Sequence, residues 1–171
     1  MLKLTKLTYD MEKEFYDYIK EWNDAKEKII PASCNMEDLT YPEYMISLKN
    51  FESIDTCPSG LVPADTYFLV DDTKRILGAI NIRHSLNDNL LKFGGHIGYG
   101  IRPSERRKGY ASKMLHLALP LAKTLGLKKV LITCLRENIG SSHTILKNGG
   151  ILENELKNGD KIFKRYWIVI D

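Results

Sequence analysis

The spacing of the apolar positions changes near the middle of the chain. From Met11 onward, Phe15, Tyr18, Ile19 and Trp22 recur at helical intervals, which predicts an amphipathic helix to about Lys28, stopped by Pro31. A second helix is expected over Pro42–Glu52, with Tyr44, Ile46, Leu48 and Phe51 as candidate core residues. Ahead of both, Lys3–Leu7 alternates polar and apolar residues as a short strand does. Asp55–Pro63, holding Pro58, Gly60 and Pro63, reads as a loop. Beyond it the runs become β-rich. Thr66–Val70 and Arg75–Arg83 flank Asp71-Asp72-Thr73-Lys74 as a hairpin. Ser85–Asn89 is a polar turn, Leu90–Phe93 is expected to extend the next strand, and His96–Ile101 is that strand.

The rest of the chain alternates helix and strand. Gly109–Leu125 is a helix with Tyr110, Met114, Leu117, Ala118, Leu121 and Leu125 on its apolar face, and Gly126 ends it. Pro120 inside it is expected to cause a kink. Lys129–Leu135 reads as a buried strand, and Asn138 caps a helix that ends at Gly149-Gly150. Ile151–Lys157 and Lys161–Ile170 close the chain as strands joined at Asn158-Gly159, a strong hairpin signal. The order is strand, two helices, three strands, helix, strand, helix, two strands: a single α/β domain over residues 1–171.

Length and composition agree. A chain of 171 residues is one domain's worth. No run approaches the roughly 18 consecutive apolar residues of a membrane span. The opening MLKLTKLTYDMEKEF has no apolar core of the kind a secretory signal carries. The expectation is a cytoplasmic globular protein with no membrane contact. Cys34, Cys57 and Cys134 are widely spaced and read as reduced thiols, and His84, His96, His116 and His143 show no metal-ligand spacing, so no metal is expected.

Charge changes the picture more. Residues 1–60 carry 12 acidic and 7 basic side chains, whereas residues 61–171 carry 10 acidic and 18 basic. The basic excess is densest at Arg102, Arg106, Arg107, Lys108 and Lys113, with only Glu105 opposing. Such a patch suits a polyanion, either nucleic acid or a phosphorylated small molecule. Its position favours the small molecule. The patch lies in GGHIGYGIRPSERRKGYASKML, a strand, then a basic glycine turn, then a helix start whose unpaired N–H groups attract an anion. Neither the GxxxxGK[ST] nor the GxGxxG pattern occurs here.

Arg106-Arg107-Lys108-Gly109-Tyr110-Ala111 matches [QR]-x-x-G-x-[GA], and in its setting between strand and helix it resembles the acyl-CoA turn of the GNAT superfamily of N-acyltransferases. Asn138, Ser141 and the closing Gly149-Gly150 resemble that family's following strand–helix segment. The resemblance implies a central mixed sheet split into a V, flanked by about four helices, with acetyl-CoA as cosubstrate in the cleft. It places the cofactor on Gly100, Ile101, Arg106, Arg107, Lys108, Gly109, Tyr110, Ala111, Asn138 and Ser141. The pyrophosphate would rest on backbone amides of the turn, and the pantetheine arm would pair with Tyr99–Ile101. A bulge at Gly98 or Gly100 would bend the strand and open the V.

The implied reaction is acetyl transfer to a primary amine of a small molecule or peptide by direct attack. An ammonium with a pKa near ~10.4 must lose a proton first. His96 stands where many members carry a carboxylate base, with Tyr99 as a second candidate. The family's acid is a tyrosine seven residues after the asparagine; this chain has Ile145 there. His143 lies about 200° around the helix from Ile145, while Ser141 and Ser142 lie within roughly 40° and 60°. Catalytic candidates are therefore His96, Tyr99 and Ser141. Glu37, Asp38 and Glu43 are candidates to hold a cationic acceptor. The alternative reading that Ile145 favours is a non-catalytic acyl-CoA-binding sensor. Nucleic acid is not expected as a partner. The aromatic last strand, Arg165–Ile170, is a candidate for pairing with a second copy.

Overall fold

The computed structural model describes residues 1–170. Its main elements are β1 (Lys3–Thr5), α1 (Glu12–Asp24), α2 (Tyr41–Phe51), β2 (Ala64–Val70), β3 (Ile76–Arg83), β4 (Ile97–Ile101), α3 (Tyr110–Thr124), β5 (Lys129–Leu135), α4 (Ile139–Lys147), β6 (Ile151–Asn158) and β7 (Lys161–Val169). The sequence order of helices and strands is the expected one. α1 buries Phe15, Tyr18, Ile19 and Trp22, the four positions picked out by the 3.6-residue period, and ends short of Lys28 because Lys26 turns left-handed at φ 54°. α2 starts at a capping box in which the Glu43 carboxylate accepts from the Thr40 N–H at 2.8 Å.

The strands form two antiparallel sheets, ordered β1-β2-β3-β4 and β5-β7-β6. The first sheet has a core on each face. Phe68 and Ala79 pack under α1 and α2, while Leu69, Ile80, Ile82 and Ile97 pack under α3 together with Val130, Ile132, Tyr166 and Ile168 of the second sheet. The sheets are linked at the start of β4. The His96 N–H donates to the Leu131 carbonyl at 2.7 Å, and the Leu131 N–H donates to His96 Nδ1 at 2.9 Å. Gly95, at φ 66°, makes this possible, because a Cβ there would strike the Leu131 carbonyl. No ladder joins β4 to β5 beyond that point, so the sheets part as a V.

Several expectations need correction. Leu90–Phe93 does not extend β4. Leu90–Gly94 is a π-helical turn, started by the Asn87 side chain accepting from the Leu90 N–H and closed by the Gly95 N–H on the Leu90 carbonyl. β4 carries no bulge: its register with β3 runs unbroken from Gly78↔Ile101 to Ile82↔Ile97. Gly100 serves close packing instead, since a Cβ there would collide with the Ile30 carbonyl of the α1–α2 connection. α3 continues through Pro120 on its exposed face as far as Thr124. Finally, β7 lies between β5 and β6, so both its edges are taken and it cannot pair with a second copy.

Candidate active site

A cleft of about 730 Å³ opens where the sheets part. Its floor is β4 from Tyr99 to Ile101, and its walls are the starts of α3 and α4. Of the sequence-predicted cofactor residues, Gly100, Ile101, Arg106, Arg107, Gly109, Tyr110, Ala111, Asn138 and Ser141 all line it. Lys108 is held on the Glu105 carboxylate at 2.8 Å. The sequence reading did not reach Ser112, Glu137 or Thr144, which line it too. Thr144 lay within reach of that reading, being one helical turn on from Ser141.

The turn before α3 is shaped for an anion. Gly109 at φ 81° and Arg107 at φ 60° are both left-handed, a conformation uncommon for arginine. None of the N–H groups of Arg107 to Ser112 finds a partner among the described residues, and α3 has no side-chain cap. A Cβ at Gly109 would meet nothing within 4 Å, so the space above the turn is open. Four or more convergent donors at the positive end of a 15-residue helix fit a pyrophosphate. α4, by contrast, is capped by its own residue: the Asn138 side chain accepts from the Ser141 N–H at 3.0 Å.

The basic run is less free than its sequence suggests. Arg102 is buried against Asp17 and Glu21 and donates to the Ile76 carbonyl at 3.0 Å. Arg106 donates to the Ile101 carbonyl at 3.1 Å, lies over the Trp22 ring and pairs with Glu27. Arg107 is exposed and makes no ion pair among the described residues, so it is the side chain of the turn available to a phosphate.

On the α3 side of β4, the Tyr99 hydroxyl lies 2.8 Å from Ser141 Oγ. Burial pushes the Tyr99 hydroxyl up to about 12, so it holds its proton at neutral pH. Ile145 is fully buried in the core, and His143 is exposed on the far side of α4. Ser142 turns inward to the Tyr166 hydroxyl at 2.5 Å. His96 is buried, and burial with the nearby Arg83 cation brings its pKa down to about 4. Its Nδ1 accepts from Leu131, so the neutral ring carries its proton on Nε2 and has no free lone pair. This arrangement suits a bridge between sheets, not a base.

On the acidic side, Glu43 is engaged in the α2 cap, and Glu37 and Asp38 are exposed. A smaller hollow of about 320 Å³ between α2 and the β1–β2 edge holds Lys6 and Glu52, which pair with each other. It lies at the C-terminal end of α2, where Lys49 and the C-cap residue Glu52 line it, and so offers no helix N-terminus to an anion. Among the described residues no cluster of three or more His, Cys, Asp or Glu is placed to hold a metal, and no helix is long and apolar enough to cross a membrane.

A β-strand with a free edge, a helix N-terminus with open amides and a V between two sheets meet in this one cleft. The profile of the acetyltransferase (GNAT) domain matches residues 12–151, and the chain belongs to that family. No curated protein matches it. Solved structures share the fold at low identity. Ribosomal-protein-S5-alanine acetyltransferase from Vibrio fischeri is 14% identical over 99% of this chain and 93% of its own, with a TM-score of 0.71. Spermidine N-acetyltransferase from Vibrio cholerae, in complex with CoA and spermine, is 19% identical over 99% and 95%, with a TM-score of 0.63. A microcin C7 self-immunity acetyltransferase, in complex with acetyl-CoA and AMP, is 19% identical over 99% and 92%, with a TM-score of 0.65.

Proposed function

We propose that this single-domain protein is an acetyl-CoA-dependent N-acetyltransferase of the cytoplasm, acting on a primary amine of a small molecule or peptide by direct attack. The observation that carries the reading is the row of unpartnered N–H groups from Arg107 to Ser112, opening on the cleft beside the free edge of β4. Backbone amides of Arg107 to Ala111 hold the pyrophosphate, and Arg107 adds its charge. Because Ile101 turns its carbonyl away from β3 to Arg106, the period of two turns the Tyr99 backbone to the same free edge. In this reading the Tyr99 N–H stabilises negative charge developing on the thioester carbonyl. As the carbon–sulfur bond breaks, the Tyr99 hydroxyl, backed by Ser141, gives its proton to the departing thiolate. A thiol of pKa near ~8.5 is a fair leaving group, so this acid assists the step more than it enables it. The acceptor's ammonium first loses one proton to water, because His96 has no lone pair to receive it, and the neutral amine attacks; the second N–H proton, released as the amide forms, restores the Tyr99 hydroxyl.

Calorimetric titration of acetyl-CoA into the protein and into a Gly109→Glu variant tests the reading. Binding in the micromolar range, lost in the variant through backbone strain and the carboxylate, supports it; absence of binding to the unaltered protein overturns it. The buried Ile145 favours one other reading, an acyl-CoA sensor without chemistry. Release of free CoA thiol with any amine decides against that one.

A further inference from the structure

Five of the seven arginines lie against a carboxylate, and Arg107 is exposed. Arg83 is different: half-buried, with no carboxylate within ion-pairing distance among the described residues. A partly desolvated guanidinium without a counter-ion, whose free nitrogens still reach solvent, is a favourable place for an anion. Its Nη1 donates to the carbonyls of Gly94 and Gly95 at 3.0 and 2.9 Å, which fixes the side chain against the π-helical turn. Nη2 and Nε have no acceptor among the described residues. Nη2 lies 3.8 Å from where a Cβ on Gly98 would stand, and the Pro31 Cβ lies at the same distance from that point. Glycine at 98 thus keeps a narrow slot beside the fixed cation free of side-chain atoms.

The slot lies on the face of β4 opposite the cofactor. Tyr99 and Ile101 pack toward α3, and so by the period of two Gly98 and Gly100 face α1 and α2. The phosphate turn follows the far end of β4, whereas Arg83 faces His96 at its beginning, where the sheets start to part. An anion on Arg83 therefore belongs to the second substrate. We propose that Arg83 recognises an anionic group on the acceptor, so that the acceptor class is an amine that also bears a carboxylate or phosphonate, as free amino acids do. Two donors of one guanidinium fit the two oxygens of such a group. The inference rests on the acetyltransferase reading above and gives its acceptor a chemical class.

Matched acceptors test it: L-phenylalanine against phenethylamine, L-leucine against isoamylamine, and aminomethylphosphonate against methylamine, each with acetyl-CoA and thiol release as readout. The expected result is that the anionic member of at least one pair is turned over about tenfold faster or more. Arg83→Gln then raises that acceptor's KM about tenfold and leaves acetyl-CoA affinity unchanged. Arg83→Lys keeps the charge and the carbonyl contacts but not the fork, and gives an intermediate KM. Equal or faster turnover of the plain amines overturns the proposal, as does an unchanged KM in Arg83→Gln; the comparison in the unaltered protein stands even if that variant fails to fold. If no pair is turned over, the same acids are titrated calorimetrically into the protein. Saturable binding weakened in Arg83→Lys supports the site, and no binding overturns it. Failure of the unaltered protein to bind acetyl-CoA instead removes the acetyltransferase reading, while the acid titration still reports on Arg83.

Discussion

Arg106 sets its two terminal guanidinium nitrogens on the carboxylate of Glu27, at 3.0 and 2.6 Å. The same side chain covers the Trp22 ring and holds the Ile101 carbonyl. One residue thus ties the turn before α3, the free edge of β4 and the end of α1 together. The motif position that suggests a phosphate ligand works here as a clamp on the connection from 25 to 36.

Arg106→Ala should accordingly separate two effects. Acetyl-CoA affinity should fall by less than about threefold, because the turn binds through its backbone. Amide exchange over residues 25–36 should accelerate, reflecting loss of an exposed pair and a cation–π contact worth about 0.5–1 kcal/mol each. A tenfold loss of cofactor affinity with unchanged exchange would make Arg106 a phosphate ligand after all.

Gly98 and Gly100 should respond oppositely to a methyl group. In Gly100→Ala the Cβ meets the Ile30 carbonyl, so the cost in urea unfolding should be about 1–3 kcal/mol. Gly98→Ala meets only Arg83 and Pro31 at 3.8 Å, so stability should change by less than about 0.5 kcal/mol while acceptor KM rises. Equal destabilisation of both would mean that the connection does not lie as described.

The elements were legible wherever one period held over several residues. Phe15, Tyr18, Ile19 and Trp22 marked α1, and the glycine turn before α3 was readable because strand, turn and helix start follow each other directly. The Leu90–Gly94 turn was not legible. A short apolar run carries no period, and the Asn87 side chain decided its conformation. Gly100 could not be read either, because the Ile30 carbonyl that requires it is 70 residues away and arrives only with the tertiary fold. The ion pairs of Arg102 and Arg106 were hidden for the same reason: their carboxylates all lie on or just after α1. Charge counting showed an acidic and a basic half but not that Arg102 and Arg106 are neutralised by carboxylates on and just after α1.

The buried Ile145 separates two accounts of the acid step. If Tyr99 supplies the proton, Tyr99→Phe should lower kcat about tenfold to a hundredfold with acetyl-CoA affinity unchanged, and Ser141→Ala should lower it less. Ile145→Tyr should not raise kcat. It should destabilise the protein by about 1–3 kcal/mol, since that position has no exposed surface to admit a ring and hydroxyl. An active, stable Ile145→Tyr variant that tolerates Tyr99→Phe would restore the helix as the source of the acid.

His96 should make the joint between the sheets sensitive to acid. Its pKa falls from 6.5 to about 4 on folding, because burial and the Arg83 cation disfavour the charged ring. The unfolded chain therefore takes up the proton first as pH falls. Stability is complete above pH 6.5 and is lost progressively down to about pH 4, where the folded ring protonates as well. Allowing for partial solvent screening, the loss should be about 1–3 kcal/mol. Asp65, held below its ordinary value by Lys6 in spite of burial, and Glu21, held below its own by the Ser104 N–H and then Arg102 in spite of burial, lose their stabilising contribution in the same direction but at lower pH, below their unfolded values of 3.8 and 4.5. A His96→Gln variant, whose amide oxygen can still accept from Leu131, isolates the histidine. Urea midpoints compared between pH 7 and pH 5 should fall in the parent and stay nearly level in the variant. Parallel slopes would mean that the ring titrates in the folded protein as it does in the unfolded chain, and that the Leu131 hydrogen bond to Nδ1 does not hold it neutral.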